Sequence, residues 1–320
     1  MADVKILIQH GSNIMYPVVT EGTKLTWERK GTPGKLTFTL VKDANISYQE
    51  GDPVKMLVDD EPVFYGFVFK KTRNKDGTIS NTVYDQLRYL KNKDTFTDEG
   101  LSASDLIKRL AGDFNLNLGT VEDTGYTFET IVQENKTLFD MIQDALNETL
   151  LITGNLFVLY DDVGKLTLKN VNSMKVPVLM EESTAEDFNY ESGIDSQTFN
   201  KIKLAYENEE TGKREIYIAQ DGEKINQWGV LQYFETVKTE IGASEKAQSL
   251  LKLYDRKTRR LTIKNAFGDM RVKAGVGIPI SLNLGDIIAN TFMVVEKVTH
   301  TFKNDQHMMD VTVIGGDFIA

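Results

Sequence analysis

The residues able to do acid–base or metal chemistry are few and scattered. His10, His300 and His307 supply all the imidazole in this 320-residue chain, and cysteine is absent. Disulfides, thiolate ligands and cysteine nucleophiles are therefore excluded. His300 and His307 flank the polar run Lys303-Asn304-Asp305-Gln306, which reads as a hairpin turn between Phe292–Phe302 and Met308–Ile314. The two arms can bring the rings together. A zinc site needs further ligands at suitable spacing, and Asp305 and Asp310 complete no recognised pattern. Histidines at strand ends, with no metal, are the expectation.

Other chemical signals are fragments. Thr211-Gly212-Lys213 echoes the end of a phosphate-binding loop but lacks the earlier glycine, and a hairpin turn accounts for it. Ala274-Gly275-Val276-Gly277-Ile278-Pro279 has two glycines without a third and no helical pattern after it. Asn74-Lys75-Asp76-Gly77 does not continue into a calcium-ligand series. The acidic runs Asp59-Asp60-Glu61, Glu181-Glu182 and Glu207 to Glu210 could be imagined as glycosidase carboxylates. That chemistry needs a pair across a cleft with one member desolvated. Adjacent acids in turns are better read as solvated faces. No Gly-x-Ser-x-Gly elbow occurs. No catalytic, metal or cofactor-binding residue is assigned, and the chain is expected not to be an enzyme.

The elements that must position these residues are mostly strands. Lys35 to Leu40 alternates so that Leu36, Phe38 and Leu40 share a face. Val54–Val58 and Val63–Phe69 form two runs joined at Asp59-Asp60-Glu61-Pro62, and Asp76-Gly77 marks the next hairpin. Near residue 95 the pattern turns helical. Ser102 or Ser104 can cap a helix carrying Leu106, Ile107, Leu110 and Phe114. Thr137, with Asp140 three residues on, can cap a second whose Leu138, Met141, Ile142, Ala145 and Leu146 share one side. A hairpin around Asp161-Asp162-Val163-Gly164 follows. Strands return with Lys201–Tyr206 and Arg214–Ala219, interrupted by one helix from about 243 to 254. The fold class expected is α+β, mainly β. It comprises an N-terminal β-barrel over 1–94, an α+β module over 95–174, and a second β-barrel over 175–320 carrying the inserted helix.

Two segments suggest contact surfaces. Trp228, Leu231 and Tyr233 concentrate large apolar side chains beside Gly229, as an intersubunit anchor or as a buried strand. Arg256-Lys257-Thr258-Arg259-Arg260 is the one dense basic cluster. Its Arg259 and Arg260 could meet an acidic partner, or the cluster could complement the end of the preceding helix. The net charge of −10 argues against a surface that grips nucleic acid. The beginning of the chain shows no signal-peptide pattern, and the most apolar stretch, Leu150–Tyr160, is too short to span a bilayer. Synthesis in the cytoplasm is expected, without membrane insertion.

Several segments, taken in order, resemble one family. They are Thr26 to Leu36 (TWERKGTPGKL), Tyr84 to Asp94 (YDQLRYLKNKD), Asp123-Thr124-Gly125-Tyr126 and Thr137-Leu138-Phe139-Asp140. Further on come Thr211 to Glu215, Trp228 to Tyr233, and Val298 to Phe302 with His307 to Asp310. Their order and spacing are similar to those of the XkdQ/YqbQ-like tail proteins of PBSX-type prophages and contractile bacteriocins. The resemblance runs nearly end to end, and it implies a baseplate hub related to the late-control D proteins of contractile phages. Such a hub is a trimeric ring of paired small barrels, joining a sixfold tail tube to a threefold central spike. The implied partners are tube, spike and baseplate wedge proteins in a virion-like tail. DNA would pass through the lumen without specific binding, and no cofactor is implied. A tail-borne receptor-binding protein and a cell-wall hydrolase are the rival readings.

Overall fold

The computed structural model describes residues 2–208, 212–237, 240, 242–283 and 288–315. The chain begins with seven strands: β1 (Val4–His10), β2 (Asn13–Met15), β3 (Thr23–Glu28), β4 (Lys35–Val41), β5 (Pro53–Val58), β6 (Glu61–Arg73) and β7 (Thr78–Tyr84). Their alternation matches burial closely: Leu36, Phe38 and Leu40 of β4 are buried while Thr37 and Thr39 are half-exposed. The β5–β6 turn is reduced to Asp59 and Asp60, at φ of 51° and 65°, the left-handed pair that a two-residue hairpin requires. Glu61 and Pro62, expected in the loop, begin β6 instead.

The middle of the chain forms β8 (Lys93–Glu99), α1 (Ala103–Asp113), β9 (Leu118–Val121), β10 (Thr130–Thr137), α2 (Leu138–Thr153), β11 (Phe157–Asp161) and β12 (Leu166–Asn170). Ser102 is the cap of α1: its hydroxyl accepts from the Asp105 N–H at 3.1 Å, and the Asp105 carboxylate accepts in return from the Ser102 N–H. Thr137 caps α2 through the Asp140 N–H, and Gly154 ends the helix at a φ of 72°. These helices and strands enclose their own core, centred on Leu106, Leu110, Leu138 and Met141.

The last part holds β13 (Met180–Glu181), β14 (Asp187–Gly193), β15 (Lys201–Asn208), β16 (Lys213–Gln220), α3 (Gly222–Trp228), β17 (Gln232–Val237), α4 (Ala243–Tyr254), β18 (Thr258–Phe267), β19 (Gly277–Asn283), β20 (Ile288–Lys303) and β21 (Gln306–Gly315). One element here departs from expectation. A second helix, α3, stands where only strands were expected, because Asp221 accepts from the Glu223 and Lys224 N–H groups and starts a short turn. Of the basic cluster, Arg256 follows the end of α4 directly, and Arg259 and Arg260 belong to β18.

The N- and C-terminal strands share one sheet of thirteen, ordered β14-β18-β21-β20-β3-β4-β7-β6-β5-β1-β2, with β13 and β19 branching from β20. No sheet among the described residues closes into a barrel. The seam is the antiparallel pairing of β3 with β20, from Glu28 opposite Lys297 to Thr23 opposite Phe302. One hydrophobic core runs beneath both halves, including Ile8, Leu25 and Leu36 from one and Val295, Val298 and Val311 from the other. Gly66 lies where β6 passes the end of β7, and an added Cβ would run into the Tyr84 backbone carbonyl. Gly66→Ala is expected to cost about 1–3 kcal/mol. Urea unfolding would show it as a lower midpoint at unchanged slope.

Candidate functional site

The described histidines are committed to structure. His300 is fully buried; its Nε2 lies 2.9 Å from the Val272 carbonyl oxygen, and its Nδ1 lies 2.8 Å from Nε2 of His307. A carbonyl can only accept, so His300 Nε2 carries the hydrogen and donates. His300 Nδ1 then accepts from the Nε2–H of His307. This arrangement uses both His300 nitrogens and leaves neither for a metal. Burial pushes the His300 pKa down to about 3, with the neighbouring His307 adding to the shift. His10 instead meets Asp52 at 2.8 Å. No group of three or more metal-capable side chains occurs among the described residues.

Among the described residues the most perturbed carboxyls are a pair between the large sheet and the middle module. Asp85 is buried and accepts from the Gly34 N–H at 2.8 Å and the Leu87 N–H at 3.1 Å, tying the β3–β4 connection to the start of the module. Asp161, at the β11 end, accepts from the Gly164 N–H at 2.6 Å. Trp27, Gly34, Leu87 and Asp161 line a cavity of about 20 Å³ at this junction, room for a single water. Burial raises both carboxyls. Asp85 goes well above the usual range, helped by the Asp161 charge, and Asp161 rises to about 6 despite the Gly164 N–H. Lys273 and Asp162 face Asp161 with opposing effects. The arrangement locks two units together and offers no cleft for a substrate.

The remaining candidate is a surface. β15 lies between antiparallel β16 and parallel β17 in a separate three-stranded sheet. One face, with Ile202, Leu204, Ala219 and Val237, packs on Ala243, Ala247 and Leu250 of α4. On the other face Ile218 and Phe234 flank Lys203, and Ile216 sits beside Ala205 one row on. Ile216, Ile218 and Phe234 are 42%, 52% and 50% exposed. A second apolar surface, Ile14, Tyr16, Val18 and Val41, borders β2 and β4, where the Val41 N–H donates to the Val18 carbonyl. Apolar clusters of this kind mark contact sites.

The residues marked by sequence for contact fall around this sheet without forming one patch. Trp228 ends α3, with the Lys224 ammonium 5.8 Å from its ring, so it is not part of a strand. Leu231 is half-buried, and its N–H donates to the Asn200 side chain. Tyr233 turns inward, stacking on Tyr254 at 5.9 Å and meeting Phe199 edge-on. Its neighbour Phe234 projects outward instead. Arg259 is half-buried and Arg260 exposed, both on β18 opposite β14. Of the acid runs only Asp59 and Asp60 sit in a turn; Glu61, Glu181 and Glu207 lie in β6, β13 and β15, Glu182 starts a 3-10 turn, and Glu209 and Glu210 lie outside the described residues, as does Thr211 of the phosphate-loop fragment.

The raised Asp161 carboxyl has a pH signature. Its folded pKa lies above the unfolded value, so its stabilising contribution is complete below about pH 4. It is lost as pH rises to about 6. Asp161→Asn keeps an oxygen for the Gly164 N–H and removes the charge. Relative to the parent, the variant should gain about 2 kcal/mol between pH 4 and pH 7. Chemical unfolding at both pH values measures this. The difference between proteins is needed because His300 works in the opposite direction, losing stability as pH falls below about 6.5 toward 3.

Comparison with known proteins places the whole arrangement. The YQBQ-like family profile matches residues 23–314. The chain is 30% identical over 307 residues to the uncharacterized protein YqbQ of Bacillus subtilis, covering 93% of this chain and 92% of that one. It is 29% identical over 307 residues to the phage-like element PBSX protein XkdQ of the same organism, covering 93% of each. Among solved structures, the 43 kDa tail protein of prophage MuSo2 from Shewanella oneidensis superposes with a TM-score of 0.73 at 14% identity. That likeness covers 99% of this chain and all of the other. The ordered motifs, the profile match and the near full-length relatives agree: the chain belongs to the YqbQ-like family.

Proposed function

We propose that the protein is a structural component of a phage-like tail, acting as a hub of its baseplate. The observation that carries this reading is the family match across nearly the whole chain, with XkdQ of the PBSX phage-like element among the relatives. The fold likeness to a prophage tail protein supports it. So does the surface, which displays two apolar clusters and two open sheet edges, β2 and β14. Edges and patches left uncovered in a single chain are what an assembling subunit needs.

In this reading three copies form a ring. Each contributes two barrel-like lobes, one from β1–β7 and one from β14 with β18–β21, so that six lobes meet a sixfold tube and three subunits meet a threefold spike. The segments 1–94, 95–174 and 175–320 act as the lobes and the module between them. Tube, spike and wedge proteins are the partners. Trp228, Leu231, Arg259 and Arg260 contribute to subunit or partner contacts, and Tyr233 supports them from within. The net charge of −10 suits a lumen through which a polyanion slides without sticking. The role is mechanical, exercised in the assembled tail after synthesis in the bacterial cytoplasm.

Mass measurement in solution, alone and with tube and spike proteins, followed by imaging, tests the proposal. A threefold ring in either mixture is the expected outcome. A chain that stays monomeric with both partners, or that releases fragments from cell walls, would overturn it.

A further inference from the structure

We propose that the outer face of the β15–β17 sheet seats the acidic segment 181–191 of a neighbouring copy of this chain. The inference rests on the ring reading and names one of its contacts. Helix α4 covers only one face of this small sheet. The uncovered face places Ile216, Ile218 and Phe234 together, each near half exposed, in adjoining rows of the sheet. Leaving these side chains in water forfeits on the order of 1–2 kcal/mol apiece relative to burial, so a binding surface is the economical explanation of the cluster.

The charges on that face select the occupant. Lys201 and Lys203 lie on β15 with the apolar residues, and among the described residues neither has a carboxylate within ion-pair range. Arg214, on the same face, is offset by Glu207 at 3.4 Å. The face is thus apolar with a positive margin, on a chain whose net charge is −10. The matching surface must be acidic and partly apolar.

The chain carries such a surface elsewhere. Glu181, Glu182, Glu186, Asp187 and Glu191 fall within eleven residues, all exposed. Leu179 just before them is 45% exposed, and Phe188, on the core side of β14 opposite Ile263, still keeps 36% of its surface exposed. Asp187 is held by Lys264 at 3.3 Å, while Glu182 and Glu191 have no ion pair among the described residues. This stretch includes β14, the last strand of the large sheet, whose far edge is open. The two patches differ, so contact between copies is head-to-tail. Head-to-tail contacts repeat, and they close into a ring when the rotation fits.

Charge exchange tests the contact. Lys201→Glu with Lys203→Glu should abolish ring formation, and Glu182→Lys with Glu191→Lys should do the same, each with unchanged thermal unfolding. Combining all four substitutions in one chain should restore assembly, since every junction of the ring then carries exchanged signs. Phe234→Ser should weaken association at least tenfold, a change unaffected by salt, whereas the lysine-dependent part should fall as salt rises. If the reversed proteins form rings as readily as the parent, this contact is wrong and the ring reading stands. If the parent itself forms no ring with its tube and spike partners, both fall.

Discussion

The structure depends on one pairing between strands at opposite ends of the sequence. β3 and β20 join the two halves of the large sheet in a continuous antiparallel register, and side-chain contacts reinforce it at several points. Lys297 reaches Glu28 at 2.5 Å, and the nearly buried Arg29 guanidinium donates to Glu296 at 2.6 Å. Thr26 and Thr299 share a hydrogen bond, and Trp27 meets the edge of His300 at 5.6 Å. Without this seam the single core beneath the sheet would be two half-covered faces. Desolvated as it is, the arginine pair would be costly to break from one side only. Its placement at the end of the seam makes the register specific.

The middle module hangs from the same region. Asp85 links Gly34, at the turn after β3, to Leu87, where the module begins, while Asp161 closes the cavity between them. Close packing forces the backbone here: a side chain on Gly34 would meet Trp27 and the Asp85 carboxylate. Orientation of the module is therefore set by buried polar groups as well as apolar contact. Polar groups satisfied in only one geometry fix that geometry, at the expense of raised carboxyl pKa values.

Much of this was legible in the sequence, and the failures have physical causes. Capping chemistry is local, so Ser102 and Thr137 announced their helices. Alternation is local too, and β4 was legible to within one residue, Val41, at its end. The β3–β20 pairing joins residues with no proximity in sequence, so two separate barrels were the natural expectation. Helix α3 is only seven residues long and nucleated by Asp221, too short for a periodic apolar stripe. At the small sheet, the sequence marks Tyr233 for contact, whereas Phe234 is the residue that faces out. A signal was present: Ile216, Tyr217, Ile218 and Ala219 run without polar alternation, the mark of a strand with apolar side chains on both faces.

The seam also governs when the molecule can fold. Strand β3 emerges from the ribosome long before β20, and until that partner arrives Leu25 and Trp27 lack their cover. The first seven strands must wait with an unpaired edge while the module and the small sheet, whose contacts are more local, assemble between them. Long-range strand pairing slows folding and prolongs the lifetime of sticky intermediates. Synthesis of this subunit therefore has a vulnerable interval that ends only when the last hairpin closes the sheet.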